Sequence, residues 1–144
     1  MKHTRITTIL AAAAAFLFLS SASAEAKTLA ETDTYTVTLD GAGSATANSK
    51  ASVTVTVTPK KWWKLNKDFP TKLTIDPPAG VTVDKKKLKK KDAAKFSEKQ
   101  AAWKVKFKSA SGTKKFMGQI KFAVCTDATC DPKRQKLEWN VTVK

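Results

Sequence analysis

The sequence predicts an all-β protein, an immunoglobulin-like antiparallel β-sandwich of about seven strands that follows a cleaved signal peptide. Two patterns lead to this prediction. Apolar and polar residues alternate over several short segments, which is the two-residue period of a half-buried strand. Turn-forming residues separate these segments at regular spacing, whereas no segment shows the longer period of a convincing helix.

The first 26 residues have the three parts of a secretory signal peptide. Lys2 and Arg5 supply positive charge, residues 9–19 are apolar but short for a membrane span, and small residues follow. We predict cleavage after Ala24 or Ala26. Residues 27–144 are then expected to form a single monomeric domain, periplasmic or secreted, with no transmembrane segment.

Four strands are predicted in the first half of this domain, at residues 35–39, 52–58, 73–75 and 81–83. The clearest is residues 52–58 (SVTVTVT), in which valines point to one side and threonines to the other. Small polar residues at 41–50 predict a loop, and residues 77–80 (PPAG) predict a turn. Residues 60–70 (KKWWKLNKDFP) mix aromatic residues with lysines and have no clean period.

The second half of the domain begins with two segments that lack strand character. Residues 84–92 form a predicted lysine loop, and residues 93–100 form either a turn of helix or a long connection. Three further strands are predicted at residues 103–107, 116–124 and 137–143. In the first of these, lysines at every second position are expected to face water.

The four tryptophans divide into two pairs. Trp103 and Trp139 lie on the apolar side of predicted strands and are expected in the core. Trp62 and Trp63 are adjacent, so in an extended segment they point to opposite sides and one of them is expected to be exposed. An exposed tryptophan could stack on a sugar or a partner protein, and partial burial under a loop is the alternative.

The net charge of the chain is +15 and falls only to about +13 to +14 without the signal peptide. A lysine-coated surface that keeps the protein soluble explains this charge, and attraction to an anionic surface or partner is the alternative. Nucleic-acid recognition is not expected. Arg134 is the sole arginine of residues 27–144, and bidentate contacts to phosphate or guanine need arginine.

Histidine is absent from residues 27–144, because His3 lies in the signal peptide. This excludes Ser-His-Asp and Cys-His hydrolases and a histidine-rich metal site. The carboxylates are scattered among lysines, without the spacing of an acid/base pair. We therefore predict no cofactor, no hydrolase activity and, apart from the copper(I) alternative for the cysteines considered below, no metal site. The cysteines are the remaining candidates for covalent chemistry.

The two cysteines, Cys125 and Cys130, are separated by four residues in the segment FAVCTDATCDP. An oxidising compartment allows them to pair. The bridge would close a six-residue loop, for which the chain-entropy model gives about 2 kcal/mol of stabilisation, against more than about 4 for a loop of roughly 100 residues. If residues 136–144 pair with residues 119–124, the bridge lies at the connection between two strands, near one end of the sandwich.

Three roles for this cysteine pair stay open on the residues alone. The pair is a redox switch, a staple that shapes the loop, or a copper(I) site completed by Met117. Charged neighbours do not decide between these roles. Lys133 and Arg134 would favour a thiolate, whereas Asp127 and Asp131 would oppose it.

Three stretches resemble the amino-terminal periplasmic domain of the thiol:disulfide interchange protein DsbD: residues 52–75, residues 77–83 (PPAGVTV) and residues 120–143. The last, IKFAVCTDATCDPKRQKLEWNVTV, is the most specific, because it combines a strand, the spaced cysteines, a proline and a closing strand. The resemblance implies an immunoglobulin-like fold and a redox-active pair at Cys125 and Cys130. It also implies a periplasmic thioredoxin-like or membrane redox protein as partner, and Phe96 as the counterpart of the aromatic residue that shields the disulfide in this family.

Two functional hypotheses follow. In the first, an exported thiol:disulfide exchange module passes electrons through Cys125 and Cys130 to or from a partner protein. In the second, the protein is a non-catalytic binding domain with a structural disulfide, and its lysine-rich surface meets an anionic or glycan partner. The candidate partner contacts are Trp62, Trp63, Lys133 and Arg134.

Overall fold

The computed structural model describes residues 25–41 and 43–144, and these residues form a β-sandwich of two sheets. Residues 1–24, which contain most of the predicted signal peptide, lie outside the described residues. The only helix in the described ranges is a single 3-10 turn at Lys90–Asp92. No helix in this part of the chain is long and apolar enough to cross a membrane.

The strands follow one another along the chain as β1 (Lys27–Glu31), β2 (Tyr35–Asp40), β3 (Ser44–Ala45), β4 (Ala51–Pro59), β5 (Lys64–Leu65), β6 (Lys72–Asp76), β7 (Val81–Val83), β8 (Lys87–Lys89), β9 (Lys95–Phe96), β10 (Ala101–Ser109), β11 (Gly112–Cys125) and β12 (Cys130–Val143). Sheet A has the order β1-β2-β4-β10-β7, with β9 also paired to β10. Sheet B has the order β3-β12-β11-β6-β8, with β5 also paired to β11. The pairs are antiparallel except β3 with β12.

The core lies between the two sheets and is built from the alternating apolar residues of the long strands. Trp103 and Trp139 are fully buried, as predicted. The ring of Trp139 stacks on Phe116 at a centroid distance of 5.3 Å, and Phe116 meets Phe107 of the opposite sheet at 5.1 Å. Burial of such rings supplies most of the driving force for folding, at about 25 cal/mol per Å² of apolar surface.

The prediction of a β-sandwich is confirmed, and its predicted strands correspond to β2, β4, β6, β7, β10, β11 and β12. Five strands do not emerge from the sequence pattern: β1, β3, β5, β8 and β9. The strands at 44–45, 64–65 and 95–96 have two residues each, too few for alternation to be visible. The predicted lysine loop at 84–92 contains β8, which buries the single apolar residue Leu88 between two exposed lysines.

The pairing considered above for residues 136–144 and residues 119–124 has another register in the structure, in which only Lys136 keeps its partner, Gln119. The antiparallel ladder between β11 and β12 continues to Cys125 opposite Cys130, so residues 131–136 are the partners of residues 119–124. Strand β12 therefore begins at Cys130, earlier than the clear apolar alternation that starts at Leu137. The cysteines still lie at the connection between two strands, as expected.

Candidate functional site

The cysteine pair closes the end of the hairpin formed by β11 and β12. Cys125 and Cys130 stand directly opposite each other and form a disulfide, with an S–S distance of 2.02 Å and a Cα–Cα distance of 4.0 Å. The four-residue loop between them is held by Thr126. Its N–H donates to the carbonyl of Thr129 at 2.8 Å, and its hydroxyl oxygen accepts from the N–H groups of Ala128 and Thr129 at 3.3 and 3.2 Å.

The two sulfur-bearing residues differ in accessibility. Cys125 is half-buried, because β5 runs alongside it with Lys64 directly opposite. Cys130 is exposed and begins β12, whose free side pairs with β3 only at Thr142 and Val143 within the described residues. Cys130 therefore lies at an open sheet edge, where another molecule has access to its sulfur.

Asn66 is a neighbour of the disulfide that the sequence analysis missed. Its Nδ2 donates to Sγ of Cys130 at 3.8 Å, and its N–H donates to the carbonyl of Ala123 at 2.9 Å. No feature of the sequence indicates this contact, because it depends on the pairing of the short strand β5 with the end of β11. The amide of Asn66 supplies a hydrogen-bond donor to the exposed sulfur.

Of the predicted basic partner contacts, one points away from the cysteines. Lys133 is half-buried and forms an ion pair with Asp131 on the inner side of β12. Nearby, the hydroxyl of Tyr35 donates to Oε1 of Gln135 at 2.7 Å. Burial raises the pKa of Tyr35, with a smaller increase from Asp131 and an opposing effect of Lys133.

Arg134 lies on the opposite, outer face of β12. Because side chains alternate along a strand, Arg134 shares this face with Cys130, four residues before it. Arg134 is exposed. The structure thus brings Arg134 and the disulfide to one face of sheet B and separates Lys133 from them.

Trp62 and Trp63 have different environments, as expected for adjacent residues. Trp62 is 77% exposed, and Nζ of Lys61 lies 4.8 Å from its ring centroid. Residues 60–63 form a turn that is closed by a hydrogen bond from the Trp63 N–H to the Lys60 carbonyl at 3.0 Å. Trp62 is the one residue of this turn with a positive φ, of +76°. That position in a type II turn favours glycine or asparagine, so tryptophan is strained there. Trp63 is half-buried against the core.

Phe96, the predicted shield of the disulfide, lies in β9. Its ring packs edge-on against Trp103 at a centroid distance of 6.1 Å, and Nζ of Lys90 lies 5.8 Å from it. The same segment reaches the cysteine end of the molecule through Glu98, whose carbonyl accepts from the N–H of Leu65 in β5 at 2.8 Å. The shielding role of Phe96 stays a prediction.

A copper(I) site that joins the cysteines to Met117 does not fit the fold. Met117 precedes Cys125 by eight residues on the same strand, a separation of about 27 Å. Among the residues that the structure describes, no group of three or more His, Cys, Asp or Glu side chains is arranged to hold a metal ion.

No protein-family model matches the sequence, and no curated protein matches it at a significant level. Solved structures do match the fold. The GAE domain of GGA1 from yeast aligns with a TM-score of 0.49 and 10% identity over 78% of this chain and 97% of that chain. The N-terminal periplasmic domain of ScsB from Proteus mirabilis aligns with a TM-score of 0.48 and 12% identity over 80% of this chain and 49% of that one.

A third similar structure is AggA, the major subunit of aggregative adherence fimbriae type I from Escherichia coli, with a TM-score of 0.41 and 10% identity over 79% of this chain and 98% of that chain. At these TM-scores and identities, the three structures carry no conclusion about the function of this chain. The functional argument therefore depends on the cysteine site of this chain.

Proposed function

We propose that this protein is an exported thiol:disulfide exchange module, in which Cys125 and Cys130 cycle between disulfide and dithiol. The partner is a periplasmic thioredoxin-like or membrane redox protein, in keeping with the sequence resemblance to DsbD. The observation that carries the proposal is the position of the disulfide. It closes the end of the β11–β12 hairpin at an open edge of sheet B, and Cys130 is exposed there. A sulfur must be reachable before another thiolate can attack it.

The hairpin around the disulfide supports reversible opening. Strands β11 and β12 are each 14 residues long and pair along their whole length. The disulfide closes only a short loop, so its loss removes about 2 kcal/mol in the chain-entropy model. The ladder and the buried residues beneath it remain when the bond is broken. The dithiol form is therefore expected to stay folded.

The exchange begins when a partner thiolate attacks Sγ of Cys130, the more accessible sulfur. The Cys125–Cys130 bond breaks, a mixed disulfide forms between the partner and Cys130, and Cys125 leaves as a thiolate. Lys64 is directly opposite Cys125 in the ladder, and its Nζ lies 3.8 Å from Oδ1 of Asp127 in the loop between the cysteines, so both charges lie close to this leaving group. A second partner thiolate then attacks the partner's own sulfur and releases Cys130. The partner is oxidised to a disulfide, and this protein takes up two electrons and two protons.

The decisive experiment is measurement of the reduction potential of Cys125–Cys130 by equilibration in glutathione buffers and thiol trapping. A potential between about −120 and −270 mV supports the exchange function, since disulfide carriers lie in this range. A potential below about −300 mV would identify a structural staple and contradict the proposal.

The order of attack has its own test in the two single serine variants. Cys125→Ser leaves the thiol of Cys130, and Cys130→Ser leaves that of Cys125. We expect the free Cys130 to react with 2-hydroxyethyl disulfide about tenfold faster, because it is exposed and Cys125 is flanked by β5. Equal rates, or a faster Cys125, would contradict the greater accessibility of the Cys130 sulfur, which is the ground for naming it as the attacked sulfur.

A binding module without redox chemistry is the second candidate, and the exposed Trp62 favours it. A strained backbone that presents an aromatic ring to solvent is typical of a contact residue. This candidate predicts salt-sensitive binding to an anionic or glycan ligand that survives reduction of the disulfide and is lost in Trp62→Ala. Binding that disappears on reduction would count against it.

A further inference from the structure

Four positive side chains stand side by side across sheet B. Arg134 is directly opposite Lys121, Lys121 is opposite Lys72, and Lys72 is opposite Lys89. These residues belong to four neighbouring strands, β12, β11, β6 and β8. Directly opposite residues share a face of the sheet, and here it is the outer face. We call these four residues the cation row.

The cation row is unfavourable for the isolated protein. Like charges that are directly opposite each other in a sheet destabilise it, because their Cβ atoms are only about 5 Å apart. Within the described part of the chain, no carboxylate oxygen lies within 4.0 Å of the side-chain nitrogens of the row. Asp92, the nearest carboxylate to Lys89 in sequence, accepts from Nζ of Lys85 at 2.6 Å and from the backbone N–H of Lys89 at 2.9 Å.

The surface around the row is shaped to receive negative charge. A shallow depression of about 280 Å³ is lined by Lys72, Lys121 and Arg134, together with Thr74 and Gln119. All of its lining side chains are cationic or neutral. The carboxylates of this face, Asp76 and Glu138, lie further along, opposite Met117. Lys121 has one contact within the chain that favours its charge, the ring of Phe69 with its centroid 5.6 Å from Nζ. An anionic group in the depression would supply the negative charge that the described residues do not place beside the row.

The cation row and the disulfide share the outer face of sheet B. Lys121 precedes Cys125 by four residues, and Arg134 follows Cys130 by four, which places the row about 14 Å from the disulfide. Between them lie Ala123 and Pro132, which are opposite each other and carry no charge. A standard protein interface covers about 800 Å² of each partner, a patch roughly 30 Å across. A protein docked over Cys130 with such an interface would also cover the near end of the row, Arg134 and Lys121, and an interface centred between the disulfide and the row would cover all four residues.

We infer that the outer face of sheet B is the docking surface for the redox partner, and that this partner carries an acidic patch about 14 Å from its reactive cysteine. The inference rests on the proposed exchange function and adds to it the kind of partner. A neutral or basic partner would leave the four positive charges buried and uncompensated. An acidic patch would compensate them and accelerate encounter at low salt.

The test uses synthetic thiol peptides as probes. Each has an N-terminal cysteine, a Gly-Ser-Gly-Ser spacer that reaches about 14 Å when extended, and a tail of four glutamates, four glutamines or four lysines. The second-order rate of reduction of the oxidised protein is measured for each at low and high salt. We expect the glutamate peptide to react about tenfold faster than the glutamine peptide at low salt, and the advantage to vanish at high salt.

Two triple variants with equal charge loss make the test specific. Lys72→Gln/Lys121→Gln/Arg134→Gln neutralises three of the four residues of the cation row, and Lys104→Gln/Lys106→Gln/Lys108→Gln neutralises three exposed lysines of sheet A. We expect the first to lose the preference for the glutamate peptide and the second to keep it. Both should react equally with the glutamine peptide. Equal loss in both variants would mean that net charge alone acts, and would overturn the inference.

The outcomes separate this inference from the proposed function. If all three peptides reduce the disulfide at one rate, exchange stands and the docking inference fails. If no peptide reduces it, the exchange function fails, and binding of a glutamate peptide with serine in place of cysteine then tests the row alone by fluorescence anisotropy. Row-dependent binding to phosphatidylserine vesicles without a preference for the glutamate peptide would assign the row to a lipid surface and overturn the inference.

Discussion

The outer faces of the two sheets are both rich in lysine, yet their charges are arranged differently. On sheet A, each exposed lysine of β10 is opposite a neutral hydroxyl residue, with the pairs Lys104–Thr54, Lys106–Ser52 and Lys108–Thr82. On sheet B, the cation row places four positive residues directly opposite one another. The first arrangement lets water and hydroxyl groups solvate each ammonium group. The second leaves repulsion within the folded state.

This difference shows that the number of lysines says little about the function of a surface. The lysines of sheet A are explained by solubility, which was the general interpretation of the charge from the sequence. The positive residues of the cation row share the outer face of sheet B with the disulfide, about 14 Å away, and they repel one another, which solubility does not explain.

The largest loss of stability is expected from a substitution that forces β11 and β6 of sheet B apart. A Cβ added at Gly118 would lie 2.8 Å from the carbonyl oxygen of Thr74 in the neighbouring strand. We therefore expect Gly118→Val to lower the free energy of unfolding by about 2–3 kcal/mol, measured by urea denaturation. Gly43→Ala is the control, since its Cβ meets nothing within 4 Å. Equal stability of the two variants would contradict this account of the strand pairing.

Removal of the disulfide should lower the stability of the protein without unfolding it. We expect the double variant Cys125→Ala/Cys130→Ala to lose about 2 kcal/mol of unfolding free energy, because the bridge closes only a short loop. Circular dichroism should show an unchanged fold. Reductant should destabilise the parent protein by a similar amount and leave the double variant unaffected. Complete unfolding on reduction would contradict a reversible exchange site.

The strained turn beside the disulfide provides the third test. Trp62→Gly should raise the free energy of unfolding by about 0.5–1 kcal/mol, because glycine adopts a positive φ without steric cost and the exposed ring contributes little packing. Asn48→Gly is the matched control. Asn48 also has a positive φ, of +60°, but asparagine tolerates this conformation, so we expect little change. A loss of stability in Trp62→Gly would show that the ring stabilises the domain.

The smallest effect is expected when a single lysine is neutralised on the outer face of each sheet. Lys121→Gln removes repulsion with both Lys72 and Arg134 and also the contact of the Lys121 Nζ with the Phe69 ring, at 5.6 Å from its centroid. Because salt screens the repulsion, the variant should be about 0.5 kcal/mol more stable relative to the parent protein at low salt than at high salt. Lys106→Gln, opposite the neutral Ser52, should leave stability unchanged. Thermal denaturation at low and high salt measures both. Equal stability changes in Lys121→Gln and Lys106→Gln would contradict a difference in charge repulsion between the two outer faces.

The sequence was sufficient for the outline of the fold. Alternation of valine and threonine marked β4, and alternation of apolar residues with lysine marked β10, because a strand exposes one face to water and buries the other. Short strands could not be found in this way. Leu88, the one buried residue of β8, lies among lysines in the sequence. Its burial depends on the pairing of β8 with β6, where Leu88 is opposite Leu73.

The candidate site was predictable only in part. The spacing of Cys125 and Cys130 predicted a local bridge, and the adjacency of Trp62 and Trp63 predicted that one ring is exposed. The contact of Asn66 with Cys130 was not predictable, since the two residues are joined by the pairing of β5 with β11. The beginning of β12 at Cys130 was also not predictable, because its residues before Leu137 do not alternate between apolar and polar.

What the sequence alone determined are properties of local order: the two-residue period, the turns and the short loop between the cysteines. The tertiary structure decided which strands became neighbours. Lys72, Lys121 and Arg134 are far apart along the chain and meet only through the register of β6, β11 and β12. Register depends on the packing of both sheets against a common core, so the placement of the cation row beside the disulfide is a property of the folded molecule.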